Sequence, residues 1–237
     1  MTMDKFPFNH CVIDNFLDDK LANQLSNEFP GYEDSLWLNY DNPLENKRTC
    51  NHWEKFPSAT YSFFAQMLES KHANTLGDLV EAKMLVGDIG LHGGGWHIHK
   101  RGGKLNIHQD YSIHPKLGME RKVNLIVYLS RDWDAQWGGG LELWSHDHEN
   151  NKPKQCEKVI DCKFNRAVIF RTDQLSWHGL PAPIDCPEGV FRKSLALYYL
   201  SNPGIATSPR QRALFAPTPA QEGDPSIESL IQSRQVL

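Results

Sequence analysis

The sequence predicts an α+β fold, mainly β, with helices at its N-terminal end and a sandwich or double-sheet jelly roll after them. Two observations carry this. Up to about residue 80 the apolar residues recur at helical spacing, whereas after Glu81 they fall into short runs separated by Gly, Pro, Asn and Asp. The chain is also long enough, at 237 residues and 40% hydrophobic, for one large core.

Taken in order, residues 10–16 read as a short strand. A helix capped by Asp18 follows, with Leu21, Leu25 and Phe29 on one face. Residues 30–57, rich in Pro, Asn and aromatics, read as irregular. A second helix is expected from Ser58, its cap, to Lys71, with Phe64, Met67 and Leu68 as its apolar stripe. The β-like runs are Lys83–Val86, Leu105–Asp110, Val123–Leu129, Leu141–Trp144, Lys158–Cys162, Ala167–Phe170, Trp177–Leu180 and Ser194–Leu200. The glycine-rich stretch 91–104 lacks the ending of a phosphate loop and reads as a mobile loop or lid beside a site. From Pro203 the chain turns polar and proline-rich, a tail that wraps the surface or is partly disordered, with a helical turn near Ile227–Ile231. The expected organisation is one domain over 1–237: helical support over 1–80, a jelly-roll core over 81–202, and a C-terminal tail over 203–237.

Composition excludes several classes. Net charge is −4 and no long basic run occurs, so nucleic acid has no compositional support as a partner. Five cysteines without a CxxC pair argue against a disulfide framework or zinc-cysteine site and for a reducing, cytoplasmic setting. No signal-peptide pattern is visible at the N-terminus, and no apolar run approaches the roughly 20 residues of a membrane span. Ser176 and Cys186 lack base partners at a recognisable spacing, so nucleophilic hydrolysis has no support.

The chemistry concentrates in His108-Gln109-Asp110, at the end of a predicted strand. Residues i and i+2 of an extended chain share a face, so an imidazole and a carboxylate stand side by side. His178, on another short strand, is the candidate third ligand. Two histidines and one carboxylate leave coordination positions open, which suits a non-haem Fe(II) oxygenase better than structural zinc. Arg192 opens the last predicted strand. Its planar guanidinium could take the far carboxylate of 2-oxoglutarate through paired hydrogen bonds, with Ser194 on the same face adding another. His146-Asp147-His148 reads as a solvated turn.

Around these residues the stretch Leu105–Leu200 resembles the 2-oxoglutarate- and Fe(II)-dependent dioxygenases, most closely the prolyl 4-hydroxylase-like branch. The likeness lies in Leu125-Ile-Val-Tyr-Leu-Ser130 followed by Arg131-Asp-Trp-Asp134, in Gly138-Gly-Gly-Leu-Glu-Leu-Trp144, in Phe164–Phe170 and in Arg192–Tyr199. The resemblance implies a double-stranded β-helix core and a hydroxylase that couples decarboxylation of 2-oxoglutarate to C–H hydroxylation. It implies Fe(II), 2-oxoglutarate and O2, with ascorbate as an optional reductant. It also implies that Tyr128 helps bind the co-substrate carboxylate, and that a carboxylate at Asp110 favours hydroxylation over halogenation. His97 and His99 stand where relatives often place a tyrosine beside the co-substrate, which makes His99 a candidate contact. Glu142 replaces a usually apolar residue and would approach the pocket if it pointed inward. The substrate, peptidyl proline or small molecule, is left open. The rival readings are a metal-free jelly-roll binding module using Trp37, Trp53, Trp96 and Trp137 as exposed aromatics, and a cupin-like enzyme drafting in His92, His97 and His99.

Overall fold

The computed structural model describes residues 1–205 and 207–234; residue 206 and residues 235–237 of the expected tail lie outside the described residues. Strands β1 (Thr2–Asp4) and β2 (His10–Asp14) precede helix α1 (Asp19–Asn27). A hairpin of β3 (Leu38–Asn42) and β4 (Glu45–Cys50) leads to α2 (Ser58–Met67) and α3 (Ser70–Asp78). The β-rich part comprises β5 (Val86–Gly87), β6 (Gly95–His99), β7 (Lys104–Gln109), β8 (Glu120–Tyr128), β9 (Leu141–Asp147), β10 (Lys152–Ile160), β11 (Arg166–Arg171), β12 (Trp177–Leu180) and β13 (Arg192–Ser201). A short β14 (Leu214–Phe215) and helix α4 (Pro225–Ser233) close the chain.

The strands form one curled antiparallel sheet in the order β1-β2-β11-β8-β13-β6-β4-β7-β12-β9-β10, the double-stranded β-helix that the sequence implied. The fold turns over at β4. Its Arg48–Cys50 half pairs with β6, and its Glu45–Asn46 half pairs with β7. One curled sheet therefore presents two facing layers, with a polar cavity between them.

Side-chain alternation divides the two environments. On β13, Leu195, Leu197 and Tyr199 pack toward the helices, whereas Arg192, Ser194, Ala196 and Tyr198 line the cavity. On β8, Val123, Leu125 and Val127 face the helices and Asn124 and Ile126 face the cavity. On β6, Trp96 and Ile98 enter the main core while His97 and His99 line the cavity. The core beneath the helices is thus built from one parity of residue and the site from the other.

The helices seal the outer face. Asp18 caps α1 by accepting from the amides of Lys20 and Leu21, as expected, and Ala22 and Leu25 are buried. The second helix differs from expectation: it breaks after Met67 and restarts at Ser70. Ser58 is its first residue, not its cap, and Pro57 at the cap position makes no side-chain bond. The amides of Ala59 and Thr60 instead donate to the Glu28 carboxylate at the end of α1, which places an anion at the positive end of α2.

Two further expectations are corrected. Residues 30–57 are not wholly irregular, because Leu38–Cys50 forms the β3–β4 hairpin at the turnover of the sheet. The stretch 91–104 is no lid: Gly95–His99 is a largely buried strand held between β13 and β4. The tail wraps the surface, one of its two expected states: β14 is added to β7, and α4, over the expected helical turn, packs on Leu44 through Ile227. Among the described residues no helix is long and apolar enough to cross a membrane.

Gly95 shows how closely β6 and β4 approach. Its φ is +91°, and a Cβ there would lie 2.1 Å from the Cys50 carbonyl oxygen. Gly95→Ala is expected to lower unfolding free energy by about 3 kcal/mol or more, from backbone strain and forced separation of the strands. Urea unfolding monitored by far-UV dichroism checks this; an unshifted midpoint would show that the contact tolerates a side chain.

Candidate metal and co-substrate site

His108 lies near the end of β7, and Asp110 immediately follows that strand. β12 pairs antiparallel with β7 in a register that sets His178 opposite His108. Their ring centroids are 4.4 Å apart. The Nε2 atoms of His108 and His178 lie 3.7 and 3.8 Å from the two carboxylate oxygens of Asp110. One ligand atom from each residue falls within 4.8 Å of the others, close enough to converge on a single ion.

Local bonds aim both rings. The Nδ1–H of His108 donates to the Asn106 carbonyl at 3.0 Å, and that of His178 donates to the Ser176 carbonyl at 2.9 Å. A carbonyl can only accept, so each Nδ1 carries the proton and each Nε2 keeps its lone pair for the centre. Burial, and then the neighbouring His108, push the His178 imidazole down to about 4, so it is neutral near pH 7. Phe215 of β14 stacks on His108 at 5.3 Å and walls one side.

Asp110 is buried, which alone would raise its carboxyl pKa, but Arg121 together with His108 and His178 more than offsets this and holds it well below the usual carboxylate range. The Arg121 guanidinium lies 3.2 Å from Asp110 and is sandwiched between Tyr111 and Tyr198, at 3.4 and 3.3 Å from their ring centroids. Asn124 donates to the second Asp110 oxygen at 3.3 Å. The carboxylate therefore keeps its charge and a fixed orientation.

The same cavity, of about 230 Å³, reaches from these three residues to Arg192, Ser194 and His99. Arg192 is 3% exposed, and its Nε donates to the Gly139 carbonyl at 2.6 Å. Among the described residues no carboxylate pairs with it. Its guanidinium lies 4.9 Å from the Tyr128 ring centroid. Tyr128 is fully buried and its hydroxyl has no hydrogen-bond partner. Burial, partly countered by Arg192, pushes that phenol up to about 12, so it remains a donor. Ser194 is the register partner of Tyr128. Both ring nitrogens of His99 are buried and without partners. A buried guanidinium lacking a carboxylate, beside an orphaned hydroxyl and an orphaned imidazole, fits a dicarboxylate co-substrate.

Comparison with known proteins agrees with this chemistry. Residues 94–200, which hold all the residues of the triad, match the family model of the 2OG-Fe(II) oxygenase superfamily. Over that segment the chain matches the superfamily. Its enzymes use Fe(II), 2-oxoglutarate and O2, and the His-Asp-His group is present for the metal. A 58-residue stretch is 36% identical to the prolyl 3-hydroxylase OGFOD1 of Mus musculus; the match spans 24% of this chain and only 10% of that relative. In fold, the chain resembles a prolyl-4-hydroxylase of Pseudomonas putida, at TM-score 0.57 and 16% identity over 81% of this chain and 91% of that one. It also resembles HygX of Streptomyces hygroscopicus, solved with nickel, 2-oxoglutarate and hygromycin B, at TM-score 0.52 and 12% identity over 81% and 82%.

Against the sequence expectations, the fold brings His108, Asp110, His178, Arg192, Ser194 and His99 to one cavity, with Tyr128 packed just behind its lining. Glu142 does not enter. It accepts from the Trp144 indole at 2.8 Å on the opposite face of β9 from Leu141, which lines the cavity. His146 is not a solvated turn residue: it lies within β9 and accepts from the Trp177 indole at 2.9 Å. The aromatic platform required by a binding module is missing. Trp37 and Trp96 are buried in the core, and Trp53 and Trp137 are partly buried against other aromatics.

Sequence reasoning missed Arg121 and the tail residues. Strand parity puts Arg121 with Val123 and Leu125 on the helix side, but the pairing of β8 with β13 skips Lys122. That bulge turns Arg121 into the cavity. Arg210 of the tail donates to the Asp110 and Gln109 carbonyls at 2.8 and 3.3 Å, bracing the end of β7.

Breaking the Asp110–Arg121 pair from one side is expected to be worse than removing it. Arg121→Met alone should cost about 3–5 kcal/mol of metal-free stability, because a buried carboxylate loses its partner. Adding Asp110→Asn should recover a large part of that loss. A double-mutant cycle by urea unfolding decides the matter, and strictly additive losses would deny the coupling.

Proposed function

We propose that the chain is a hydroxylase of prolyl 4-hydroxylase type, coupling decarboxylation of 2-oxoglutarate to hydroxylation of a C–H bond. His108, Asp110 and His178 would hold Fe(II). Arg192, assisted by Tyr128, Ser194 and His99, would hold the co-substrate. The observation that carries this reading is the buried Arg192, without a carboxylate partner among the described residues, sharing a cavity with the three converging ligand side chains.

Iron, co-substrate and O2 together supply the oxidising chemistry. The chain's own residues supply position. His108 and His178 turn their Nε2 atoms to the centre, their rings fixed by the Nδ1–H bonds. Asp110 presents a full negative charge that Arg121 and Asn124 hold in place. Tyr128 stays protonated and can donate to a carboxylate already facing Arg192. Ile126, Leu141 and Leu180 line the cavity with apolar surface and limit water around the reacting centre.

Two kinds of substrate are compatible with the fold relatives, a prolyl peptide and a small molecule. The C-terminal segment favours the smaller one. Ala213, Phe215 and Arg234 form part of the cavity wall and narrow the space that an extended peptide would cross.

With Fe(II) and 2-oxoglutarate, the protein is expected to release succinate, and more of it when the right compound is drawn from a panel of prolyl peptides and small molecules. Arg192→Met should raise KM for 2-oxoglutarate about 100-fold, the loss of two charge-assisted hydrogen bonds of about 1.5–3 kcal/mol each less partial replacement by water. An unchanged KM would remove Arg192 from the co-substrate site.

A further inference from the structure

Beyond Arg192 the cavity contains a second group of charged side chains. Glu45 of β4 is 2% exposed and pairs with Lys47 at 3.2 Å and with Arg234 at the end of α4. One carboxylate thus faces two cations. Over the whole lining, Lys47, Arg121, Arg192 and Arg234 stand against Glu45 and Asp110, four cations to two carboxylates. A divalent metal and a doubly charged co-substrate cancel each other, so the excess of two positive charges persists when both are bound.

The position of that excess follows from register. Arg192 is the partner of His99 across β13 and β6, and Arg48 is the partner of Ile98 across β6 and β4. Lys47 therefore stands beside His99 on the other side from Arg192. The row Arg192–His99–Lys47 spans three neighbouring strands, roughly 4.8 Å apart at each step. His99 in its centre is 2% exposed, with neither ring nitrogen partnered. Burial first, then Arg192 and Lys47, hold it well below the ordinary histidine range, so it is neutral and has one N–H to donate. Such a row is suited to two anionic groups, one at each end, with a neutral imidazole between them that donates its single N–H to one of the two.

We propose that the substrate of this oxygenase carries a carboxylate, bound on Lys47 and Arg234 with His99 between it and the co-substrate carboxylate on Arg192. The inference rests on the reading in which Arg192 holds 2-oxoglutarate. It narrows the substrate to small organic acids and sets aside neutral or cationic compounds.

The test is a binding measurement independent of turnover. The full chain, loaded with Mn(II) and saturating 2-oxoglutarate, is titrated calorimetrically with N-acetylproline, N-acetylleucine and N-acetylphenylalanine, each beside its C-terminal amide. At least one acid is expected to bind about tenfold or more tighter than its amide, one charge-assisted contact's worth of discrimination. Lys47→Met and Arg234→Gln should each erase most of that preference, and Lys47→Arg should keep it. Amides binding as tightly as acids, no acid binding at all, or a preference untouched by both charge-removing variants would overturn the proposal. Succinate release by the Fe(II)-loaded wild-type chain is measured in parallel. Its absence would count against the oxygenase reading alone, since the acid-over-amide comparison does not depend on catalysis.

Discussion

The antiparallel pairing of β7 with β12 is the constraint on which the rest of the site depends. It sets His178 opposite His108, while the continuation of β7 supplies Asp110 two residues on. No loop has to find its place for the three side chains to meet, because backbone hydrogen bonds between two strands fix their separation. Everything around this pair acts to hold it. β4 and then β14 pair along the edge of β7 away from β12, and Arg210 braces the carbonyls where β7 ends.

The cost of such a site is the burial of charge. Asp110, Arg121, Arg192 and Glu45 are all at most 8% exposed. An unpaired charge at that depth is strongly unfavourable. Asp110 and Glu45 are offset within the chain, by Arg121 and by the Lys47–Arg234 pair respectively. Among the described residues Arg192 is not paired with a carboxylate, and Tyr128 and His99 carry buried polar atoms without partners. At Arg192, Tyr128 and His99 a bound dicarboxylate would supply the missing partners. Folding stability and ligand affinity are thus two readings of the same electrostatic arrangement.

Much of this was legible in the residue pattern. The HxD spacing at the end of an apolar run, the distal His178 and the Arg-x-Ser opening of the last strand are local signals, and strand periodicity carries them onto one face. What stayed hidden depends on geometry that no local pattern encodes. Arg121 sits in a Glu-Arg-Lys run that resembles solvated surface, and only the bulge at Lys122 turns it inward. Gly95–His99 read as a flexible loop because its glycines suggest freedom, whereas Gly95 is there for a close backbone approach. The C-terminal segment looked like a polar, proline-rich tail, yet Phe215 and Arg234 become part of the cavity through contacts far apart in sequence.

The central claim is that one divalent metal ion sits among His108, Asp110 and His178. Anomalous diffraction at the iron edge, from crystals grown anaerobically with Fe(II), tests it most directly. A single strong peak is expected within about 2.0–2.2 Å of both Nε2 atoms and one Asp110 oxygen, the usual range for such ligands. A peak elsewhere, at His146 and His148 or at His92 and His114, with none between β7 and β12, would contradict the account.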